Sequence, residues 1–391
     1  MPGTHAHSRS LRAEQAPKGG RGWLIAVTIG VVAVVGVSVA AVSVHSGASK
    51  PAAATAPAPA HEVGATVQTG PLTVLSLTPA TGSTLVPSNA TISVHFSLPL
   101  GAHPPTPTLS PAVPGSWDVT TPDTFTFVAS APLVPSSTET VTVPAGIVAV
   151  DGKTLSQPVT SQFTVAAGST LRLQQLLAQL GYLPVSFVPA GPLTAPQEAA
   201  QAQEGSFTWR GNEPATLTSL WTVGAPNQVT KGAVMAFESK YDMKTDGVPG
   251  PAVWEHLLTD ASTGTINPGP YNYVYVSQSL PETTTVYSNG AVVYTTRANT
   301  GVPGATTAPG TFPVYLRYKV TTMSGTNPDG SKYSDPGIPW VSYFNGGDAL
   351  HGFVRGSYGY PQSVGCVEMP PANAAVVYPL TPIGTLVTVS A

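Results

Sequence analysis

The chain carries a single cysteine, Cys366, in the run Ser363-Val364-Gly365-Cys366-Val367-Glu368-Met369, and the pair His351-Gly352 lies a short way upstream. A lone thiol cannot close an intrachain disulfide. It is therefore a buried apolar filler, an intermolecular bridge or a reactive nucleophile. The third role requires a base: a thiol becomes a good nucleophile when an imidazole takes its proton, leaving a thiolate–imidazolium pair. That imidazole must itself be held in one tautomer by an acceptor on its other nitrogen. His351-Gly352 and Gly365-Cys366 offer these parts, each beside a glycine that lets the backbone approach closely. The amides of Gly365 and Cys366 could form an oxyanion hole for a tetrahedral intermediate. His95 and His103 stand without partner ligands, and no cluster of His, Cys, Asp and Glu has metal-ligand spacing, so no metal is expected.

Elements must exist to bring these residues together. With 391 residues the chain is long enough for several units. Only 9% of residues are charged and the net charge is -3, which leaves no electrostatic footprint for nucleic acid. Gly and Pro number 39 and 41, and with abundant Thr, Val and Ser they favour short strands and turns over long helices. Trp23 to Val44 run without a charge; as a helix they would span roughly 33 Å, enough for a bilayer core of about 30 Å. Arg9, Arg12, Lys18 and Arg21 precede that stretch and only Lys50 follows closely, so the N-terminus is expected in the cytoplasm and the body outside. The competing reading is a cleaved signal peptide with Ser38-Val39-Ala40 as its site. The apolar stretch is longer than the usual signal core, which favours a retained anchor.

Residues 45–70 are Ala/Pro-rich and nearly uncharged, a semi-extended spacer. From Pro71 to Ala167 short runs of period two, such as Thr91 to Phe96 and Thr124 to Val128, alternate with turn clusters, the mark of a small antiparallel sandwich. Leu173, Leu176, Leu177 and Leu180 fall on one helical face, and further helices are expected through Ala233, Phe237 and Tyr241 and through Val253, Trp254 and Leu257. Strand patterning then returns. Thr283 to Tyr287 pairs with Ala291 to Thr296 across Ser288-Asn289-Gly290, a strong short hairpin signal. MSGTNPDGSKYSDPGI, between Thr322 and Pro339, reads as a long polar loop, a lid or a disordered segment.

Three stretches resemble known families. LTPATGSTLVPSNATISVHFSLPL resembles bacterial immunoglobulin-like modules. LRLQQLLAQLGYLP and GAVMAFESKYDMKTDGVPGPAVWEHLL resemble the three-helix peptidoglycan-binding domain, interrupted by an insertion between Leu183 and Lys231. IPWVSYFNGGDALHG, SVGCVEMPPANAAVVYPL and GTLVTV resemble the catalytic domain of L,D-transpeptidases, the YkuD family. The expected fold is multidomain and mainly β. It comprises a cytoplasmic tail (1–22), a transmembrane helix (23–44), a linker (45–70), an Ig-like β-sandwich (71–167), a small three-helix peptidoglycan-binding-like domain (168–262) and a β-rich L,D-transpeptidase catalytic domain (263–391).

The YkuD resemblance implies a nucleophile at Cys366, a general base at His351, the Gly352 carbonyl orienting the imidazole, and the Gly365 amide in the oxyanion hole. Trp340, Tyr343, Asn345, Ser363 and Glu368 would contact substrate. Val364 stands where many members have a second histidine, and Glu368 where many have arginine or asparagine; the latter would put a negative charge near the acyl site. The implied reaction needs no cofactor. A donor tetrapeptide stem of peptidoglycan acylates the thiol, and the amine of a diamino acid on a neighbouring stem resolves the thioester to a 3→3 crosslink, in the wall outside a single-pass anchor. Hydrolysis by an L,D-carboxypeptidase, attachment of another amine, and a non-catalytic wall-binding protein are the alternatives.

Overall fold

The computed structural model describes residues 70–391. The expected cytoplasmic tail, the transmembrane helix over 23–44 and nearly all of the linker lie outside the described residues. Within them, the first unit is a sandwich of β1 (Val74–Thr78), β2 (Ile92–Phe96), β3 (Thr108–Ser110), β4 (Gly115–Thr121), β5 (Thr124–Ala129), β6 (Thr138–Val143) and β7 (Val159–Thr164). One sheet runs β1-β2-β5-β4 and the other β3-β6-β7. The alternation read in the sequence faces inward as it should: Ile92, Val94 and Phe96 meet Phe125, Phe127, Val141, Val143 and Phe163 in one core.

The helical part begins at α1 (Thr170–Gln179), where the Ser169 side chain caps the Arg172 amide. Leu173, Leu176, Leu177 and Leu180 point into the core, as their spacing predicts. The insertion folds as a hairpin of β8 (Val185–Pro189) and β9 (Gly205–Trp209) followed by a short α2 (Ala215–Thr218). Asn227 caps α3 (Gln228–Lys240); α4 (Pro251–Thr263) opens on Pro251 and ends at Gly264 in the left-handed region. These helices bury Phe237, Trp254 and Leu257 in a cluster that also holds Tyr273 and Leu386 of the following sheet. Helices and C-terminal sheet therefore share a core. The backbones come together at Gly232 and Gly384, where a Cβ on Gly232 would stand 2.4 Å from the Gly384 carbonyl oxygen.

The C-terminal part comprises β10 (Asn272–Ser277), β11 (Thr283–Ser288), β12 (Ala291–Arg297), β13 (Gly310–Pro313), β14 (Leu316–Thr326), β15 (Lys332–Asn345), β16 (Asp348–Gly352), β17 (Val367–Met369), α5 (Pro371–Val377) and β18 (Leu386–Ser390). They form two sheets, β12-β11-β10-β18-β13 and β14-β15-β16-β17. The Asn289-Gly290 hairpin is present, with both turn residues at positive φ, 47° and 79°.

The polar segment from Thr322 to Pro339 is not a loop. It forms the outer arms of the long β14–β15 hairpin, with Met323 opposite Asp335 and a turn at Asn327–Ser331. Its Thr, Ser and Tyr suit strands, but it buries so little on either face that no hydrophobic alternation marks it.

The expected fold class and the single-pass membrane placement are corrected on one point. No helix among the described residues is long and apolar enough to cross a membrane. The longest, α3 and α4, have 13 residues each and reach about 20 Å against the roughly 30 Å of a hydrocarbon core. The observed class is mainly β, two β-rich parts flanking a helical one.

Gly232→Ala is expected to wedge α3 off the sheet and cost about 1–3 kcal/mol, as overpacking does. Chemical denaturation should show a lower midpoint at unchanged slope; a wild-type midpoint would show that the contact yields.

Candidate active site

Strands β16 and β17 run parallel, with Leu350 opposite Val367, His351 opposite Glu368 and Gly352 opposite Met369. That register seats His351 against the strand that starts immediately after Cys366, so two residues distant in sequence meet at one place in the sheet. His351 is buried, 3% exposed. Its Nδ1 lies 3.1 Å from the Gly352 carbonyl oxygen. A carbonyl can only accept, so Nδ1 carries the proton and Nε2 is left as the free base, a tautomer assigned from the hydrogen bond.

Cys366 packs with Tyr343, Phe353 and Met323 against the small cluster of Ile338, Val341 and Ala349, and its Sγ is 3.6 Å from the Gly347 carbonyl oxygen. The Ser363 hydroxyl donates to the Cys366 carbonyl at 2.5 Å. Gly365 has φ +109°, and a Cβ there would stand 2.7 Å from Asp348 Oδ1. Only glycine makes this turn.

Burial governs the charges. It pushes the Cys366 thiol up to about 12; the Ala349 amide works against this, and the Asp348 and Glu368 carboxylates add to it. Burial also lowers the His351 imidazole, opposed by its bond to Gly352 and by Glu368. Burial thus works against the charged form of both partners, and so against a resting thiolate–imidazolium pair.

Residues 271–389 match the family model of the L,D-transpeptidase catalytic domain, YkuD. Residues 68–165 match that of the bacterial Ig-like domain, Big_5. The C-terminal part of the chain is a YkuD domain. No curated protein matches the chain in sequence. Similar solved structures include an L,D-transpeptidase from Mycobacterium smegmatis, at 15% identity over 82% of this chain and 100% of that one (TM-score 0.28). The catalytic domain of the E. faecium L,D-transpeptidase is 26% identical over 30% of this chain and 96% of its own (TM-score 0.29). L,D-transpeptidase 3 from Mycobacterium tuberculosis is 13% identical over 81% and 98% (TM-score 0.29). Overlays this loose say nothing about the geometry of the site.

Within the YkuD domain the expected substrate residues separate. Tyr343 shares the thiol's cluster, and burial with the Cys366 charge pushes its phenol up to about 12. Asn345 lies next to it, its Nδ2 3.4 Å from Asp348 Oδ2. Trp340 sits elsewhere: at φ +61° its ring packs on Tyr378, 5.6 Å between centroids, beside the main core of the domain. Ser363 is fully buried and braces the Cys366 carbonyl instead of facing a cleft.

Glu368 is also buried, 5% exposed, and its two oxygens take the Arg355 Nε and Nη2 hydrogens at 2.8 Å each. Its charge is neutralised within the protein instead of lying open at the acyl site.

Three features beside the site left no mark in the sequence. Asp348 reads as part of a Gly-Gly-Asp turn, yet its carboxyl is raised by burial and accepts the Ala308 amide at 3.2 Å. Tyr333 and Asp335 ride on the hairpin arm whose composition suggests a loop; the phenol of Tyr333 is raised by burial and then by the Cys366, Asp335 and Glu368 charges. Arg355 follows the histidine at a spacing that only the folded register makes meaningful.

Because the folded thiol titrates above the unfolded one, less thiolate exists in the native protein wherever the unfolded thiol has begun to ionise. Iodoacetamide should therefore alkylate native Cys366 more slowly than the urea-unfolded chain at about pH 8, with a rate still climbing at about pH 10. A native rate that levels off below about pH 8 would reveal a resting ion pair and overturn this account. Gly365→Ala, strained at its φ and crowded against Asp348, is expected to destabilise the domain by about 1–3 kcal/mol, read as a lower denaturation midpoint.

Proposed function

We propose that the protein is a cell-wall L,D-transpeptidase that forms 3→3 peptidoglycan crosslinks through a Cys366 thioester. The observation that carries this reading is the His351–Gly352 hydrogen bond, which leaves Nε2 unprotonated on the strand beside the thiol. With both charged forms disfavoured by burial, proton transfer accompanies attack. Nε2 takes the Sγ proton as sulfur adds to the carbonyl of the L-centre at the third position of a tetrapeptide stem. The carbonyl oxygen becomes an oxyanion facing the Gly365 and Cys366 amides. The tetrahedral intermediate collapses, the imidazolium gives its proton to the departing nitrogen, and D-alanine leaves. The amine of a diamino acid on a neighbouring stem then attacks the thioester, His351 again taking the proton; as the C–S bond breaks, the imidazolium returns that proton to the departing sulfur and the thiol is restored.

Neutral partners suit this sequence. A thiol kept protonated until a carbonyl is in reach is protected from stray electrophiles, and general-base help from a positioned imidazole is worth about 10²–10⁴ in rate. Tyr343 and Asn345 would contact the donor stem, and Gly352 would hold the base in place. The Ig-like part and the helical part, whose sequence resembles wall-binding domains, would set the distance between the catalytic part and the glycan.

Intact-protein mass spectrometry with a carbapenem tests the thiol chemistry. We expect a single adduct on the native protein, none on Cys366→Ala, and acylation slowed by at least about 10² in a folded His351→Ala variant. An undiminished adduct on Cys366→Ala would remove the proposal. With purified tetrapeptide muropeptides a crosslinked dimer supports transfer, whereas tripeptide as sole product would make the protein a carboxypeptidase.

A further inference from the structure

Every tetrapeptide donor ends in a carboxylate one residue beyond the amide that Cys366 would cleave. The departing amino acid and the incoming amine occupy the same side of the thioester, since each is the nitrogen partner of the same carbonyl. From the surroundings of His351 we infer that Arg355, fixed in place by Glu368, binds the carboxylate of that departing or incoming amino-acid unit and so favours stems and acceptors whose nitrogen stands beside a free carboxylate. This rests on the stem-peptide reading above and names the charge state of the substrate.

The guanidinium is built into position. Glu368 takes Nε–H and one Nη2 hydrogen, and the Gln362 carbonyl takes the other at 3.3 Å. Among the described residues that leaves the Nη1 pair without an acceptor, on a side chain that is 30% exposed. The Arg355 amide donates to the Tyr358 hydroxyl, which in turn donates to the Phe353 carbonyl, so the backbone is tied as well. The guanidinium lies over the Phe353 ring, 4.5 Å from its centroid, and that ring stands edge to face with His351 at 6.2 Å. Phe353 thus stands between the imidazole and the guanidinium, in contact with both. The free Nη1 hydrogens thus lie one aromatic ring away from the base, already ordered, and a carboxylate binding there costs little further side-chain entropy.

Glu368 is the positioning residue. As the carboxylate that uses up the Nε and Nη2 donors, it turns the remaining pair of the fork outward and compensates the arginine charge in a buried setting. Its replacement of the arginine or asparagine common in the family becomes intelligible: the cation is supplied from Arg355 and the acid anchors it.

The other charges sharpen the choice. Asp335, on the β15 arm, acts on both Arg355 and His351, and Asp348 lies on the Cys366 side. Together with Glu368 they add an attraction for positive charge beside the carboxylate that Arg355 would take. A unit carrying an ammonium next to its carboxylate satisfies both signs, and an incoming α-amino-acid centre has that form before it gives up a proton to His351.

Protection of Cys366 from iodoacetamide reads this without requiring turnover. The probes are a tetrapeptide stem ending in D-alanine and the same stem ending in D-alaninamide, applied to the native protein, Arg355→Lys and the double variant Arg355→Gln/Glu368→Gln. In the native protein the amide should need on the order of tenfold higher concentration for equal protection, the size of one charge-assisted hydrogen bond. Arg355→Lys, which keeps the charge and loses the fork, should retain part of the preference, and the double variant none. Equal protection of the native protein by both peptides, or an undiminished preference in the double variant, overturns the role of Arg355. The native comparison stands even if a variant does not fold. Preference for the acid without any turnover would keep the clamp and sink the transpeptidase reading; turnover with equal protection would do the reverse.

Discussion

The site depends on one short piece of parallel sheet. Parallel strands cannot be joined by a tight turn, so the chain between Gly352 and Val367 has to leave the sheet edge and return to it. The return is fixed by backbone bonds that pair Asn299 with Glu368 in both directions at 2.9 Å. The Asn299 side chain also binds the Ser357 carbonyl and the Gly359 amide of the connecting loop, and Arg355 clasps Glu368 from within that loop. A slip of one residue would turn His351 to the opposite face. The buried polar residues Asn299 and Glu368 therefore serve register first, and the placement of His351 and Cys366 follows from it.

Burial is the second organising force. It disfavours the charged forms of His351 and Cys366, and it draws Glu368 into a bidentate pair. Isolated burial of an ion is costly, so a carboxylate at this depth requires its guanidinium. Electrostatics near the thiol are therefore set by pairs and not by single charges. This is why a sequence position with the wrong sign for its family proves compatible with the site once its partner is known.

Local patterns were the most legible part of the sequence. Cys366 and His351 stand out because few residue types can serve as thiol nucleophile and base, and the Asn289-Gly290 hairpin because its turn demands positive φ. What escaped was whatever lacks a hydrophobic signature. The arm from Thr322 to Pro339 is held by backbone pairing over a surface that buries little, so polar composition suggested a loop. The family resemblance placed Trp340 against substrate, but its left-handed backbone and its contact with Tyr378 set it beside the core. Asp348 and Arg355 acquire meaning from neighbours that are close only after the strands pair.

The helical part bears on the catalytic sheet through the same physics. Tyr273 and Leu386 lie in the core built by Leu176, Phe237 and Trp254, while their strand neighbours Val274 and Val387 face the core that includes Leu350 and Val367. Because side chains alternate across a strand, β10 and β18 divide the two cores between their faces. One face is packed by helices, and the other supports β16 and β17, which carry the site. Gly232 and Gly384 let the helix come close enough for that first face to close. The helices are thus a structural backing for the catalytic sheet whatever they bind outside, and loosening them should reach the thiol through β18 and β10 before any substrate contact is lost.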